Sequence, residues 1–131
     1  MIEITNDPTR RVITLRASGV VRLEDMRQAL KEYIRATGLY RGRPHFLLAD
    51  MRGMAPLSPD AAATMGEAIA HGRQRGVVLC AHLSDSGIVR LQSNRLAREV
   101  AGNDDATVDV IALEEAWRLF DERREQLGVG A

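Results

Sequence analysis

The chain of 131 residues contains one cysteine and one tryptophan, and aromatic residues make up only 4 % of it. The single Cys80 excludes an internal disulfide and suits a reducing compartment, so a cytoplasmic location is expected. Few aromatics leave few platforms on which nucleobases could stack. No sign of charge dominates: 18 basic side chains balance 18 acidic ones. Such a chain has no ready means of neutralising phosphates, the main source of nucleic-acid affinity. Long apolar runs are missing too. Gly76 to Ala81 is far too short to span a bilayer. The opening Met1-Ile2-Glu3-Ile4-Thr5-Asn6-Asp7 lacks the positive and apolar regions of a signal peptide. There is no Walker loop, no dinucleotide fingerprint and no Gly-x-Ser-x-Gly elbow. Nucleic acid, membrane and cofactor are therefore not expected.

What is present is ordinary for a globular protein, with 45 % hydrophobic and 27 % charged residues. The length suits a single domain, residues 1–127, followed by a flexible tail at 128–131.

The apolar periodicity alternates between strand and helix. Ile2 to Thr5 reads as a strand, Asn6 to Thr9 as a turn and Arg11 to Ala17 as a second strand, together an antiparallel hairpin. Leu23, Met26, Leu30, Tyr33, Ile34 and Thr37 form one helical stripe, with Gly38 placed to end the helix in a left-handed conformation. His45 to Asp50 is a strand whose unbroken apolar run requires cover on both sheet faces. Ser58 as N-cap, Pro59 at the first helical position and Asp60 beside the dipole start a second helix that runs to Arg75. Val77 to Leu83 is a fourth strand. Ser84-Asp85-Ser86-Gly87 opens a third helix with Val89, Leu96, Ala97 and Val100 inward, closed by Gly102 and Asn103. Thr107 to Ala112 is a fifth strand. The last helix covers Leu113 to Leu127, with Leu113, Ala116, Trp117 and Phe120 buried. The expected fold class is α/β, in the order β-β-α-β-α-β-α-β-α. It comprises a single mixed, mostly parallel sheet of five strands and four helices, with the hairpin as its antiparallel edge.

Four segments, in order, resemble the STAS family, the fold of the anti-sigma-factor antagonists. They are Gly19 with Leu23 to Leu30, Phe46 to Gly53, Gly76 to Leu79, and Ala112-Leu113-Glu114-Glu115-Ala116-Trp117. A related Sec14-like group shares the pattern. The resemblance implies a non-enzymatic regulatory module that binds a protein partner. In the antagonists the second helix opens with Asp-Ser-Ser-Gly, whose serine takes a phosphoryl group. Here that motif falls on Ser58-Pro59-Asp60-Ala61. Proline cannot be phosphorylated and Asp60 is already negative, so the usual switch is absent and Ser58 is the best remaining phosphoacceptor.

In open α/β sheets ligands bind beyond the carboxyl ends of the strands. That places Asp50, Arg52, Met54, Ser58 and Asp60 on one candidate partner-binding rim. Ser84, Ser86 and Gly87 lie there as a candidate anion site, which Asp85 would oppose. Met51, Met54 and Leu57 flank Pro56; they either pack beneath the sheet edge or form an adaptable apolar surface. Cys80 and His82 share a strand face, but the residues offer no third ligand to complete a metal site. His45 and His71 read as surface or boundary residues. Two alternatives stand beside the interaction module: a Sec14-like carrier of a small apolar ligand, needing a pocket of a few hundred Å³, and an uncharacterised enzyme. A free sheet edge also makes a homodimer expected.

Overall fold

The computed structural model describes residues 1–101 and 106–128. Nine elements follow one another: β1 (Ile2–Asp7), β2 (Val12–Ala17), α1 (Leu23–Gly38), β3 (His45–Asp50), α2 (Pro59–Gln74), β4 (Val77–Leu83), α3 (Gly87–Ala101), β5 (Thr107–Val110) and α4 (Leu113–Gln126). The strands lie side by side in sequence order, β1-β2-β3-β4-β5. Only β1 is antiparallel to its neighbour. The order, the mixed sheet and the four helices are those read from the periodicity, and the architecture is consistent with a STAS-like fold. No helix among the described residues is long and apolar enough to cross a membrane.

Alternation along the strands builds two cores. Ile13, Leu15, Leu47, Ala49 and Cys80 face one way and meet Met26 and Tyr33 of α1, Met65 and Ile69 of α2, and Val89 of α3. Val12, Phe46, Leu48, Leu79, Ala81 and Leu83 face the other way and meet Ala116 and Phe120 of α4. β3 is buried along its whole length, as its apolar run requires. Each crossover helix lies on the first face, and among the described residues α4 covers the second. Arg124 of α4 is buried there, with its guanidinium over the Phe46 ring and bonded to the Arg10 carbonyl and to Asp121. Arg10 in turn lies over Trp117, so the hairpin tip and α4 hold each other.

Several boundaries differ from the sequence reading. β1 extends to Asp7 because the Asp7 carboxylate accepts from the amides of Thr9 and Arg10 and so moves the turn onward. Gly38 is the last residue of α1 rather than a left-handed cap. The helix instead unwinds through i→i+3 bonds at Leu39, Tyr40 and Arg41, and the left-handed residues are Arg41 and Gly42. Ile34 and Val100, expected inward, are exposed; Ala29 and Ala36 complete the α1 face instead. β5 stops at Val110 and leaves Ile111 in solvent. Gly102, Asn103 and the tail beyond Gly128 lie outside the described residues.

His45 is the main correction. It is fully buried, not at the surface. Its Nδ1 lies 2.8 Å from the Arg43 carbonyl, which can only accept, so Nδ1 carries the proton. Nε2 then accepts from the Thr37 hydroxyl at 2.6 Å, and the Tyr40 ring stacks on the imidazole at 4.3 Å. Burial lowers its pKa. Burial lowers the pKa of His82 further, to about 4. Both histidines are neutral in the folded chain, whereas the unfolded chain takes up protons on them below about pH 6.5. Stability is therefore complete above that pH and falls as the pH drops toward 4. The expected loss from His82 alone between pH 7.5 and 4.5 is roughly 2–3 kcal/mol. Urea unfolding at the two pH values measures it, and His82→Leu should remove that share of the difference.

Candidate functional site

The register of the parallel strands decides where the site lies. Arg16, Asp50, Leu83 and Val110 are paired in turn across β2, β3, β4 and β5. The exits of all four strands are thus level, and the loops after β3 and β4 share one rim.

Asp50 organises this rim. Its carboxylate is buried, with 7 % of the side chain exposed, at the end of the central strand. Arg52 grips it with a two-pronged contact, Nε to Oδ1 at 2.9 Å and Nη2 to Oδ2 at 2.8 Å. The Arg52 amide adds a bond at 3.3 Å, and Arg16 reaches across from β2 at 3.2 Å. The hydrogen bonds from Arg52 hold the Asp50 pKa below the usual carboxylate range, against the opposing pull of burial. Asp50 is therefore a support from within. Arg16 and Arg52, with side chains 51 % and 43 % exposed, are what it presents outward.

The loop from Met51 to Ser58 is fixed along its length. The Met51 amide donates to the Leu83 carbonyl, and the Ser93 hydroxyl donates to the Met51 sulfur at 3.3 Å. Gly53 donates to Asp85 Oδ1 at 3.0 Å, which ties the two loops to each other. Gly19 pairs with the same loop through a bond to Gly53 and another from Ala55, making a short parallel bridge beside Met54. Gln92 of α3 clamps Leu57 with its side-chain amide: Oε1 accepts from the Leu57 amide and Nε2 donates to its carbonyl, both at 2.9 Å. That side chain supplies the two backbone bonds a neighbouring strand would supply.

Of the expected contact residues, Arg52, Ser58 and Asp60 are exposed, whereas Asp50 and Met54 are buried. Met51, Met54 and Leu57 pack beneath the loop, as one of the two expectations for them had it, because the turn at 51–54 folds them onto the core. Met54 cannot itself touch a partner. Ser58 caps α2, its hydroxyl accepting from the Ala61 amide at 3.3 Å. In the second loop Ser84 is buried and its hydroxyl bonds both the amide and the carbonyl of Ser86, while the Ser86 hydroxyl accepts from Val89. The groups of the candidate anion site at Ser84, Ser86 and Gly87 are thus largely occupied with one another, and Asp85 sits between them.

The periodicity missed an apolar component. Val20, Ile88, Leu91 and Ile111 are exposed at this same end, with Ile88 and Leu91 at 67 % and 68 %. They come from four points around the rim: Val20 beside the Gly19 bridge, Ile88 and Leu91 on the first turns of α3, and Ile111 after β5. The signal was present in part, since Ile88 and Leu91 fall off the Val89–Leu96 stripe.

Beneath α1 and α2, a space lined by Leu15, Tyr33, Leu47, Met65, Cys80 and His82 measures about 20 Å³, room for one water. An apolar ligand needs several hundred. Comparison with known proteins finds no matching family model and no matching curated protein.

Removing the Gln92 clamp should loosen the loop without unfolding the domain. Gln92→Ala is expected to cost about 1–2 kcal/mol and to raise the exchange rate of the Leu57 amide at least tenfold, read by hydrogen–deuterium exchange. Asp50→Asn leaves both guanidiniums without their carboxylate and should cost about 1–3 kcal/mol in urea unfolding.

Proposed function

We propose that this chain is a non-catalytic regulatory module of STAS-like type that binds a protein partner in the cytoplasm through the rim at the carboxyl ends of β2 to β5. One observation carries the reading: the two loops are clamped by Asp85, Gln92 and the Gly19 bridge into a fixed surface, and that surface is bordered by exposed apolar side chains. A rigid backbone lowers the entropy lost on docking. Exposed isoleucine and leucine beside arginine supply the apolar contact and the charged anchor common at interfaces. Arg52, Ser58 and Asp60 are the polar contacts of this reading, and Ser58 is its phosphoacceptor. A phosphate there would sit at the start of α2, where the dipole favours negative charge.

The test uses the double substitution Ile88→Asp and Leu91→Asp. Both positions are in solvent, so unfolding stability should stay within about 0.5 kcal/mol of the native chain. Partner capture by cross-linking in cells, followed by mass spectrometry, should be lost in this variant and kept in Glu122→Arg on α4. A double variant that captures the same partner as fully as the native chain refutes the rim as the docking surface.

A further inference from the structure

The opposite end of the sheet carries a second arrangement, one that the rim does not use. There the turn after α1 lies against the turn between α2 and β4. The His45 amide donates to the Gly76 carbonyl at 3.0 Å. Gly76, at φ 106°, approaches so closely that a Cβ on it would lie 2.6 Å from the Arg43 carbonyl oxygen and 2.7 Å from that of Gly42. Only glycine permits that approach, so the two turns are locked together.

Between them and the ends of the two helices opens a groove of about 300 Å³, lined by Ile34, Thr37 and Gly38 of α1, Arg41 and Gly42 of the turn after it, and His71 and Arg75 at the end of α2. Every charged residue along it is basic. Among the described residues neither the Arg41 nor the Arg75 side chain has a hydrogen bond or ion pair. The C-terminal dipole of α2 accounts for basic side chains at His71 and Arg75. Arg41 follows the C-terminal end of α1 and holds a left-handed backbone, φ 53°, where glycine would be unstrained. Arg41 and Arg75 line the groove from the two turns.

We propose that this groove binds the phosphoryl group of a small phosphate ester between Arg41 and Arg75, with His71 as a third donor and the exposed Ile34 as a shelf for the organic part. Two guanidiniums match a dianion better than a single carboxylate, because planar forks bond phosphate oxygens in pairs. The size suits a small molecule. His71 is half-buried, and burial and Arg75 lower its pKa. Arg75, just past the end of α2, and Arg41, from the facing loop, line the groove with it, and Glu67 lies one turn earlier on the same helix. A bound dianion opposes the effect of Arg75 and makes the imidazole easier to protonate.

The experiment titrates the full chain with phenyl phosphate and, separately, with inorganic phosphate at low salt, following the His71 ring by NMR with the buried His82, which does not line the groove, as internal control. Phenyl phosphate should shift His71 saturably, bind more tightly than inorganic phosphate and raise the His71 pKa while His82 stays unmoved. Arg41→Gly relieves the strained backbone and so should melt no lower than the native chain, yet it should weaken binding about tenfold or more, as should Arg75→Gln. Shifts that never saturate, or full affinity retained in Arg41→Gly, overturn the site. Equal affinity for the two ligands overturns the ester and assigns the groove to free phosphate. None of these outcomes depends on the rim at the other end of the sheet.

Discussion

β3 in the middle of the sheet is the constraint on which the rest depends. It pairs in parallel with β2 and β4 and is buried on both faces, so its register fixes everything beside it. A slip of one residue would exchange Phe46 and Leu48 for Leu47 and Ala49 and present each core with the wrong side chains. The same register brings Arg16 level with Asp50 and Leu83, and only because of that can one carboxylate gather two arginines and one loop reach the next. The rim is thus a consequence of strand alignment before it is a matter of loop sequence. Its side chains then hold what the alignment has brought together. Asp85 crosses from one loop to the other, and Gln92 reaches back from a helix to stand in for a strand.

Much of this was legible in the chain. The alternation of Ile13, Leu15 and Ala17, the continuous run Phe46 to Ala49 and the start signal Ser58-Pro59 are local patterns with local causes, and each element appears where its pattern lies. The position of the rim followed from parallel strands joined by helices. What was not legible depended on the third dimension. His45 is buried because the unwinding end of α1 brings Thr37 and Tyr40 onto its ring, and nothing in the composition of that loop announces such a pocket. Arg124 lies within α4 at a position that charge alone assigns to solvent; only the Phe46 ring and the Arg10 carbonyl explain its burial. Ile34 shows the reverse, an apolar residue on the helical stripe that the neighbouring α2 leaves uncovered. At the rim the sequence indicated which residues gather, but not which of them turn inward. The turn at 51–54 settled that by folding Met54 under and Arg52 out.

The topology is also economical in chain. Each strand lies beside the one before it, and every parallel crossover uses one helix on the same face. Each parallel pair nevertheless joins residues about thirty positions apart, such as Phe46 and Leu79, so every β-α-β unit must close a long loop before its pairing is gained, which slows folding. The Gly76 contact closes one such unit at its base, and the Gly19 bridge closes another at its top.

That economy leaves one debt to the end of the sequence. Three helices shield the first face of the sheet as they are made, while the second waits for α4. During synthesis, a nascent chain that has emerged only as far as β5 displays Val12, Phe46, Leu48, Leu79, Ala81 and Leu83 as a bare oily slab. Until residues 113–126 clear the ribosome and lay Phe120 across it, the half-made domain keeps that apolar face open to water, the kind of surface through which incomplete chains aggregate.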